Sequence, residues 1–379
     1  MNTVLSGRLG PVGLDSPRDP WTPSAGEPVV VYGAGSFARA VIGAVRGAGG
    51  VVHHALDRRV PAAWVDGLGV HRPGDDPMVA ADRRAATAIV GVFNRSADPL
   101  EIEEQLETSG YGRVVSVPEL YEAFAASLGQ RYWLANRSLY RDSYEQISAV
   151  EDLWTDAESR ELFRRIVRYR VSWSSADAPR PCPGLQYFPS DLPRSTRSLA
   201  WVDCGAFDGD TLLAIASLGT SVDAAYAFEP DAENFASLVT RSREFARVTG
   251  GAISLWPCAV AGSTGVRRFH GGQGEASSIA VDGSEFVAVV AIDDVLPATW
   301  VTDLKMDIEG SELDALRGAE RLIQRCRPRL AICVYHRPQD LWEIPLFVHG
   351  LGLEYDFHLR SHGHYGFDLV MYAVPRDNG

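Results

Sequence analysis

Two segments of this 379-residue chain share one pattern, in which a short apolar strand runs into a glycine turn and then into a helix. The first segment is Pro28–Ala38, with the turn Gly33-Ala-Gly35. The second begins near Leu199, and its turn is Asp203-Cys-Gly205-Ala-Phe-Asp-Gly209. A strand followed at once by a helix packs that helix on one face of a sheet and returns as a parallel strand. The pattern therefore predicts an α/β chain with two Rossmann-like domains, and the chain length suits two domains.

The first turn has the features of a nucleotide site. The turn has the spacing G-x-G-x-x-A over Gly33–Ala38, and a further strand, Val51–Asp57, completes a βαβ unit. Asp57, at the end of that strand, lies 22 residues after Gly35. Glycines allow the backbone to approach a phosphate at a helix N-terminus, and the acid can bind ribose hydroxyls. We therefore predict a nucleotide site at Gly33, Gly35, Ser36 and Asp57, although such turns also occur without a ligand.

The second turn favours a different ligand. It is rich in acids and lacks the lysine of a phosphate-binding P-loop, which disfavours a pyrophosphate. Asp203 can order the loop or meet a cationic amino group, Gly205 leaves room for a ligand on the backbone, and Thr211 can cap the next helix. Glu229 follows the next strand, where a carboxylate can bind both ribose hydroxyls. A ligand with an adenosine, an ammonium and a sulfonium fits this loop, and S-adenosylmethionine is such a ligand.

Lys305 is the one lysine among 36 basic residues. Lysine is a compact charge whose pKa shifts on burial, whereas arginine is always charged. The presence of a lysine at position 305 in a chain that otherwise uses arginine therefore predicts a specific role for it. Lys305 and Asp307 alternate along a predicted strand and point to one face, where they can form a pair. The alternatives are a salt bridge to a neighbouring helix, or chance survival in a gene that is biased toward arginine.

The candidate catalytic residues lie at two predicted strand ends. Asp307 and Glu309 end one strand and His336 ends the next, and ligands of open α/β sheets bind outside such ends. A positioned base at such an edge can take a proton from a substrate, and Asp307 or His336 can serve. With Lys305, these are the predicted catalytic residues. Glu309 and Glu312 also suit the dipole at the N-terminus of a helix that is predicted from Ser311 to Arg325, and His336 can be a structural loop histidine.

A metal ion is a weaker prediction for the same place. Asp307 and His336 can bind Mg²⁺, which leaves magnesium open as a cofactor. Magnesium sites favour carboxylates over imidazole, so we expect no metal at this site.

Three motifs resemble the FkbM family of methyltransferases. They are Asp203-x-Gly-Ala-x-x-Gly-x-Thr211, Phe228-Glu-Pro230 and Lys305-x-Asp-Ile-Glu-Gly-x-Glu312-x-x-Ala-Leu-x-Gly-Ala319. The tail Tyr335-His336 … Asp340-Leu-Trp-Glu-Ile-Pro345 is similar too, so that the resemblance covers roughly residues 185–375. It implies a class I methyltransferase fold, whose seven-stranded sheet is parallel except for one strand. It also implies S-adenosylmethionine as methyl donor and O-methylation of a hydroxyl, often on a sugar or a natural product. The cofactor-binding residues that it implies are Asp203, Gly205, Ala206, Gly209, Thr211 and Glu229.

The N-terminal half has a resemblance of its own. Val29–Asp57 is similar to the nucleotide-sugar-binding N-terminal domain of some sugar acetyltransferases. One alternative function is therefore an NAD(P)- or nucleotide-sugar-binding enzyme that acts through Gly33–Ala38 and Asp57. Another is a binding or scaffold module with a non-catalytic methyltransferase half, which the intact acids of all three motifs oppose.

The predicted organisation has four parts. They are a flexible arm at 1–27, a Rossmann-like nucleotide- or sugar-binding domain at 28–130, a helical connector and loop at 131–197, and a methyltransferase domain at 198–379.

Bulk properties restrict the partners. The net charge of −13 gives no electrostatic footprint for nucleic acid or for an anionic membrane. No apolar run approaches the roughly 20 residues that a membrane span needs. The five cysteines include no C-x-x-C pair, which predicts neither a disulfide framework nor a zinc site and fits the cytoplasm. A small-molecule substrate is expected, and a homo-oligomer stays open.

Overall fold

The computed structural model describes residues 19–59, 64–194, 197–272, 278–279 and 283–376. They fall into two compact units. Unit 1 takes its residues from Met1–Glu151, Arg160–Cys182 and Ser361–Phe367, and unit 2 takes its residues from Asp152–Ser159, Pro183–Arg360 and Asp368–Gly379. Each unit therefore combines three separate segments of the chain. The four consecutive parts predicted from the sequence stay a prediction.

Unit 1 contains a six-stranded sheet. Its strands are β1 Pro28–Tyr32, β2 Val51–Leu56, β3 Trp64–Val65, β4 Leu68–His71, β5 Thr87–Val90 and β6 Arg113–Val115. The strand order is β3-β4-β2-β1-β5-β6. β1 pairs in parallel with both β2 and β5, which confirms the predicted Rossmann-like arrangement. The short β3–β4 hairpin is antiparallel and was not predicted.

Helices follow β1, β4, β5 and β6 in the chain. They are α1 Ser36–Gly47, α2 Ala80–Arg83, α3 Pro99–Thr108, α4 Val117–Leu128, α5 Arg137–Asp142, α6 Tyr144–Glu151 and α7 Ala157–Ser172. α1 buries Phe37, Val41 and Val45 at helical spacing, so one face of it contributes to the core. Of the predicted flexible arm, residues 1–18 lie outside the described residues, whereas Trp21 is buried and its backbone N–H donates to Glu119.

Unit 2 is built on a seven-stranded sheet with a smaller four-stranded sheet beside it in the chain. The strands are β7 Leu199–Cys204, β8 Val222–Phe228, β9 Ala252–Trp256, β10 Ala259–Val260, β11 Gly265–His270, β12 Ser278–Ile279, β13 Glu285–Val290, β14 Asp303–Met306, β15 Arg329–Cys333, β16 Tyr355–Ser361 and β17 Leu369–Pro375. The large sheet has the order β16-β17-β15-β14-β7-β8-β9. β17 runs antiparallel to β15, and this confirms the predicted mostly parallel seven-stranded sheet. The central β7 pairs in parallel with β8 and β14, so the sheet order switches direction there.

One helix predicted in unit 2 is wrong in its extent. The helices are α8 Asp210–Ser217, α9 Ala232–Thr249, α10 Ile292–Val295, α11 Glu312–Arg317, α12 Glu320–Cys326 and α13 Asp340–Gly350. The sequence pattern predicted one helix from Ser311 to Arg325, but the chain breaks at Gly318. A Cβ at Gly318 would lie 2.3 Å from the carbonyl oxygen of Ala261, and its own carbonyl accepts from Asp293. Tertiary packing therefore interrupts the helical hydrogen bonds at this glycine.

Among the residues that the structure describes, each helix is too short or too polar to cross a lipid bilayer.

Candidate active site

The loop after β7 is pressed against the end of β14. Gly205 has φ +77°, and a Cβ there would lie only 2.0 Å from the backbone carbonyl oxygen of Asp307. Ala206 is fully buried, and its N–H donates to the Phe228 carbonyl oxygen at 3.0 Å. The end of β14 therefore occupies the space beside Gly205, which the sequence pattern predicted to be open to a ligand.

The predicted helix cap at Thr211 is wrong. α8 begins at Asp210, and its N-cap residue is Gly209 with φ +89°. Thr211 consequently lies inside the first turn, where it is buried and its N–H donates to the Asp210 carboxylate at 2.7 Å. The N-cap position belongs to Gly209 in its left-handed conformation, two residues before Thr211.

Lys305 forms its ion pair with Asp203. The two residues are direct neighbours on β14 and β7, and Nζ lies 2.9 Å from Oδ1 with both side chains buried. Nζ also donates to the Gly205 carbonyl oxygen and lies 5.2 Å from the centre of the Tyr187 ring. Burial disfavours the charged amine, but the carboxylates of Asp203 and Asp307 outweigh it and raise the pKa of Lys305. Burial raises the pKa of Asp203, and Lys305 offsets part of that shift.

This pairing corrects the sequence interpretation, which joined Lys305 to Asp307 or to a helix. Lysine and its partner connect two adjacent strands and hold the start of the glycine loop. In this geometry Lys305 anchors that loop, and its predicted catalytic role stays a prediction.

Glu229 connects the loops after β7 and β8. It is 5% exposed, and its two carboxylate oxygens accept from the backbone N–H groups of Phe207 and Asp231, both at 2.9 Å. Burial raises its pKa, and these two hydrogen bonds lower it. Each carboxylate oxygen keeps a further lone pair, so that Glu229 can still accept from a hydroxyl.

His336 lies among three carboxylates after β15. Its Nδ1 is 2.8 Å from Glu312, and its Nε2 is 3.3 Å from Asp307 and 3.4 Å from Glu309. Burial disfavours the charged ring, but Glu312 and Glu309 outweigh it and raise the pKa of His336 well above its usual range. A protonated imidazole cannot take a further proton, so this geometry does not support His336 as the base.

Glu312 holds the strained loop that follows β14. Glu309 has φ +54°, a left-handed conformation that costs a non-glycine residue about 1–2 kcal/mol. The fully buried Glu312 accepts from the backbone N–H groups of Ile308 at 2.8 Å and Gly310 at 3.0 Å. Glu312 therefore holds the loop after β14 in addition to its favourable position in the helix dipole, which is all that the sequence suggested.

Tyr187 completes the cluster and was missed by sequence reasoning. Its hydroxyl donates to Asp307 Oδ2 at 2.7 Å from a loop 120 positions earlier in the chain. No local sequence pattern indicates a contact between residues that are so far apart in the chain.

The accessible carboxylates of the cluster are Asp307 and Glu309. Their side chains are 23% and 18% exposed, whereas those of His336 and Glu312 are 2% and 0%. Burial raises the pKa of Asp307, but His336, Lys305 and Tyr187 outweigh it and the net shift is downward. Burial also raises the pKa of Glu309, and there the upward shift remains. Two adjacent carboxylates thus have opposite tendencies to hold a proton.

The same cluster does not fit Mg²⁺. Asp307, Glu312 and His336 each offer a ligand atom, and these atoms lie within 4.8 Å of one another. However, only Asp307 of the three presents a carboxylate to solvent, and the third donor is a buried imidazole whose pKa the surrounding acids raise. Magnesium prefers octahedral oxygen ligands, including several waters, so this donor set does not suit it.

The predicted nucleotide residues of unit 1 also lie together. Gly35, Ser36 and Asp57 line a cavity of about 570 Å³. Gly33 is not among the lining residues; it has φ +129°, and a Cβ there would be 2.6 Å from the Gly91 carbonyl oxygen.

Comparison with known proteins identifies the domain that contains the acidic cluster. Residues 203–364 match the family model of the Methyltransferase FkbM domain. A crystal structure of Methyltransferase FkbM from Methylobacillus flagellatus KT, at 2.20 Å resolution, is similar in fold. It is 23% identical, the match covers 92% of this chain and 90% of that chain, and the TM-score is 0.75. None of the curated proteins compared with the chain matches it. The resemblance seen in the sequence is confirmed: residues 203–364 match a methyltransferase domain of the FkbM type, and the solved structure shows a similar fold over most of the chain.

Proposed function

We propose that the FkbM methyltransferase domain transfers a methyl group from S-adenosylmethionine to a hydroxyl oxygen of a small molecule. The proposed acceptor is a sugar, free, nucleotide-linked or attached to a natural product. The observation that carries this proposal is the pair of accessible carboxylates, Asp307 and Glu309, within the matched segment. The free thiols of the five cysteines support a reducing compartment such as the cytoplasm.

The residues after β7 and β8 fit the cofactor. Glu229 retains acceptor capacity for ribose hydroxyls beside its two backbone hydrogen bonds. Asp203 Oδ2 is buried without a hydrogen-bond partner among the described residues, which suits a nearby positive charge. S-adenosylmethionine, when bound, supplies an electrophilic methyl group on its sulfonium. Gly205, Ala206 and Gly209 supply the tight loop, and Lys305 holds that loop through the Gly205 carbonyl oxygen.

Glu309 is the proposed general base. A carboxylate with a raised pKa is the better proton acceptor near neutral pH, and adjacent acids whose pKa values diverge take different roles. The proton of the acceptor hydroxyl would pass to Glu309 as the oxygen takes the methyl group.

Asp307 is the proposed orienting group. Its lowered pKa keeps it ionised, and the Tyr187 hydroxyl fixes one of its oxygens. It can therefore accept a hydrogen bond from the acceptor without taking a proton. The protonated His336 holds Asp307 and Glu309 in place, as its distances of 3.3 and 3.4 Å to them indicate.

Binding and turnover test the two parts of the proposal separately. S-adenosylmethionine is titrated into the full chain by calorimetry, and release of S-adenosylhomocysteine is then followed with a panel of sugars and sugar nucleotides. We expect one-to-one cofactor binding that Glu229→Ala weakens. No saturable binding would refute the cofactor assignment.

The base is tested with Glu309→Gln in the same turnover assay. We expect kcat to fall about 10²- to 10⁴-fold with cofactor affinity unchanged, because general-base catalysis contributes that much. Glu244→Gln makes the same chemical change on the exposed face of α9 and should leave both quantities unaltered. Glu309→Gln turnover at the rate of the unchanged chain would exclude Glu309 as the base.

A further inference from the structure

We propose that unit 1 contains a separate ligand site for a nucleoside diphosphate, in the cavity at the carboxyl ends of β1, β2 and β5. This inference does not depend on the proposed methyl transfer.

The cavity lies at the point where the sheet order of unit 1 changes direction. Its lining comes from three loops: residues 32–37 after β1, 57–59 after β2 and 91–98 after β5, with part of α3. β1 pairs with β2 on one side and with β5 on the other, so the cavity opens at a topological switch point. Its volume of about 570 Å³ falls within the ~300–1,000 Å³ range of small-molecule sites.

The N-terminus of α1 provides the phosphate-binding part. This helix of 12 residues has Gly35 as its N-cap, without a capping side chain and without an acid in its first turn. Its first N–H groups therefore lack helical acceptors, and the helix dipole adds a partial positive charge. Gly35, Ser36 and Phe37 all line the cavity, so these groups border the space that a ligand would enter.

Small residues bring the strand ends close beneath this helix terminus. A Cβ on Gly91 would lie 2.7 Å from Val31 and 3.2 Å from the Cβ of Ala38. Ala38 is the third small residue of the G-x-G-x-x-A pattern, and it is fully buried. The loop is thus held close to the sheet, which leaves the cavity above it open.

The carboxylates of the cavity are already bound by donors. Asp57 accepts from the N–H groups of Ala34 at 3.0 Å and Arg59 at 2.8 Å. Asp98 accepts from Leu100 at 2.9 Å, and Glu101 accepts from Arg58 at 2.9 Å.

Arg59 is the remaining charged group. Its side chain is exposed and makes no ion pair with a described residue, and it lines the cavity beside Asp57. A negative ligand would give it a partner, and Asp57 keeps lone pairs for hydroxyls.

These features together select a nucleoside diphosphate. An inorganic phosphate would use only the helix terminus and Arg59, and a nucleoside would use only Asp57. A ribose joined to a diphosphate meets all of them at once.

Calorimetry on the full chain tests this site, with ADP, UDP, AMP and inorganic phosphate as probes and with S-adenosylmethionine present at saturation. Ser36→Glu places a carboxylate at the exposed first position of α1, which the helix dipole tolerates but a diphosphate does not. Ser138→Glu introduces the same charge at the exposed second position of α5, away from the cavity. We expect ADP or UDP to bind with S-adenosylmethionine present, at least tenfold more weakly to Ser36→Glu and unchanged to Ser138→Glu.

Three results would overturn the proposal: no nucleotide binding, equal binding to Ser36→Glu, or inorganic phosphate that binds as tightly as ADP. Displacement of ADP by S-adenosylmethionine would also overturn it, because the nucleotide would then occupy the methyltransferase site. If the diphosphates bind, NAD⁺ and UDP-glucose distinguish a dinucleotide from a nucleotide sugar. Because binding is measured without turnover, its failure is separate from a failure of methyl transfer.

Discussion

Replacement of Gly205 by alanine tests whether the loop after β7 needs glycine for its contact with β14. The new Cβ would lie 2.0 Å from the Asp307 carbonyl oxygen, while real Cβ atoms essentially never approach closer than 3.0 Å, so that the backbone must move by at least 1.0 Å. The left-handed φ of +77° costs alanine about 1–2 kcal/mol, and overpacking adds about 1–3 kcal/mol. We expect Gly205→Ala to destabilise the β7–β14 region by about 2–5 kcal/mol.

Gly219→Ala is the matched control. Gly219 has φ +64° in the same unit, but nothing lies within 4 Å of a Cβ there. Its cost should be the backbone part alone, about 1–2 kcal/mol. The difference between the two variants therefore isolates the clash with Asp307.

Native-state hydrogen exchange at the amides of β7 and β14 is the suitable assay, because it reports the free energy of local opening. A difference of about 1–3 kcal/mol corresponds to exchange about 5- to 150-fold faster in Gly205→Ala than in Gly219→Ala. Equal exchange in the two variants would refute the argument that the close approach to Asp307 requires glycine.

Three further predictions concern the buried charges. Lys305→Met should cost about 3–5 kcal/mol of unfolding free energy because it leaves Asp203 buried and unpaired, and adding Asp203→Asn should restore part of it, as measured by denaturant titration. The pKa of His336 is raised in the folded chain, so its contribution to the unfolding free energy should be complete below the unfolded pKa of about 6.5 and lost as pH rises through the folded pKa. Unfolding free energies are measured over a pH series for the unchanged chain and for His336→Gln, and an equal pH dependence in the two would contradict this. Tyr187→Phe should raise the pKa of Asp307, seen by NMR titration of its carboxyl carbon, and should cost about 0.5–1.5 kcal/mol, whereas an unmoved pKa would contradict the hydrogen bond.

Local patterns predicted the parts of the fold that depend on neighbours in the chain. The strand, glycine turn and helix at Gly33–Ala38 and at Asp203–Gly209 were recognised because each spans about ten residues. The unpredicted hairpin β3–β4 also had a local signal. Asp66-Gly67 separates Val65 from Leu68, and both turn residues have positive φ, as a two-residue hairpin turn requires.

The parts that were missed depend on distant contacts. The break at Gly318 follows from the Ala261 carbonyl oxygen, and no local pattern reports that approach. The partner of Lys305 is on an adjacent strand about 100 positions earlier, so alternation along one strand pointed to Asp307 instead. For His336, the sequence showed the residue type but not the three surrounding acids that raise its pKa.

The single lysine has a consequence for chemical labelling. The one ε-amino group of the chain is 3% exposed, holds its proton firmly, and lies between a carboxylate and a tyrosine ring. Acylating reagents need a neutral, accessible amine, so the folded chain offers them no ε-amine. Lys305 can therefore be acylated only when the β7–β14 junction opens. The rate of its acylation, followed by mass spectrometry, would measure how often that junction opens.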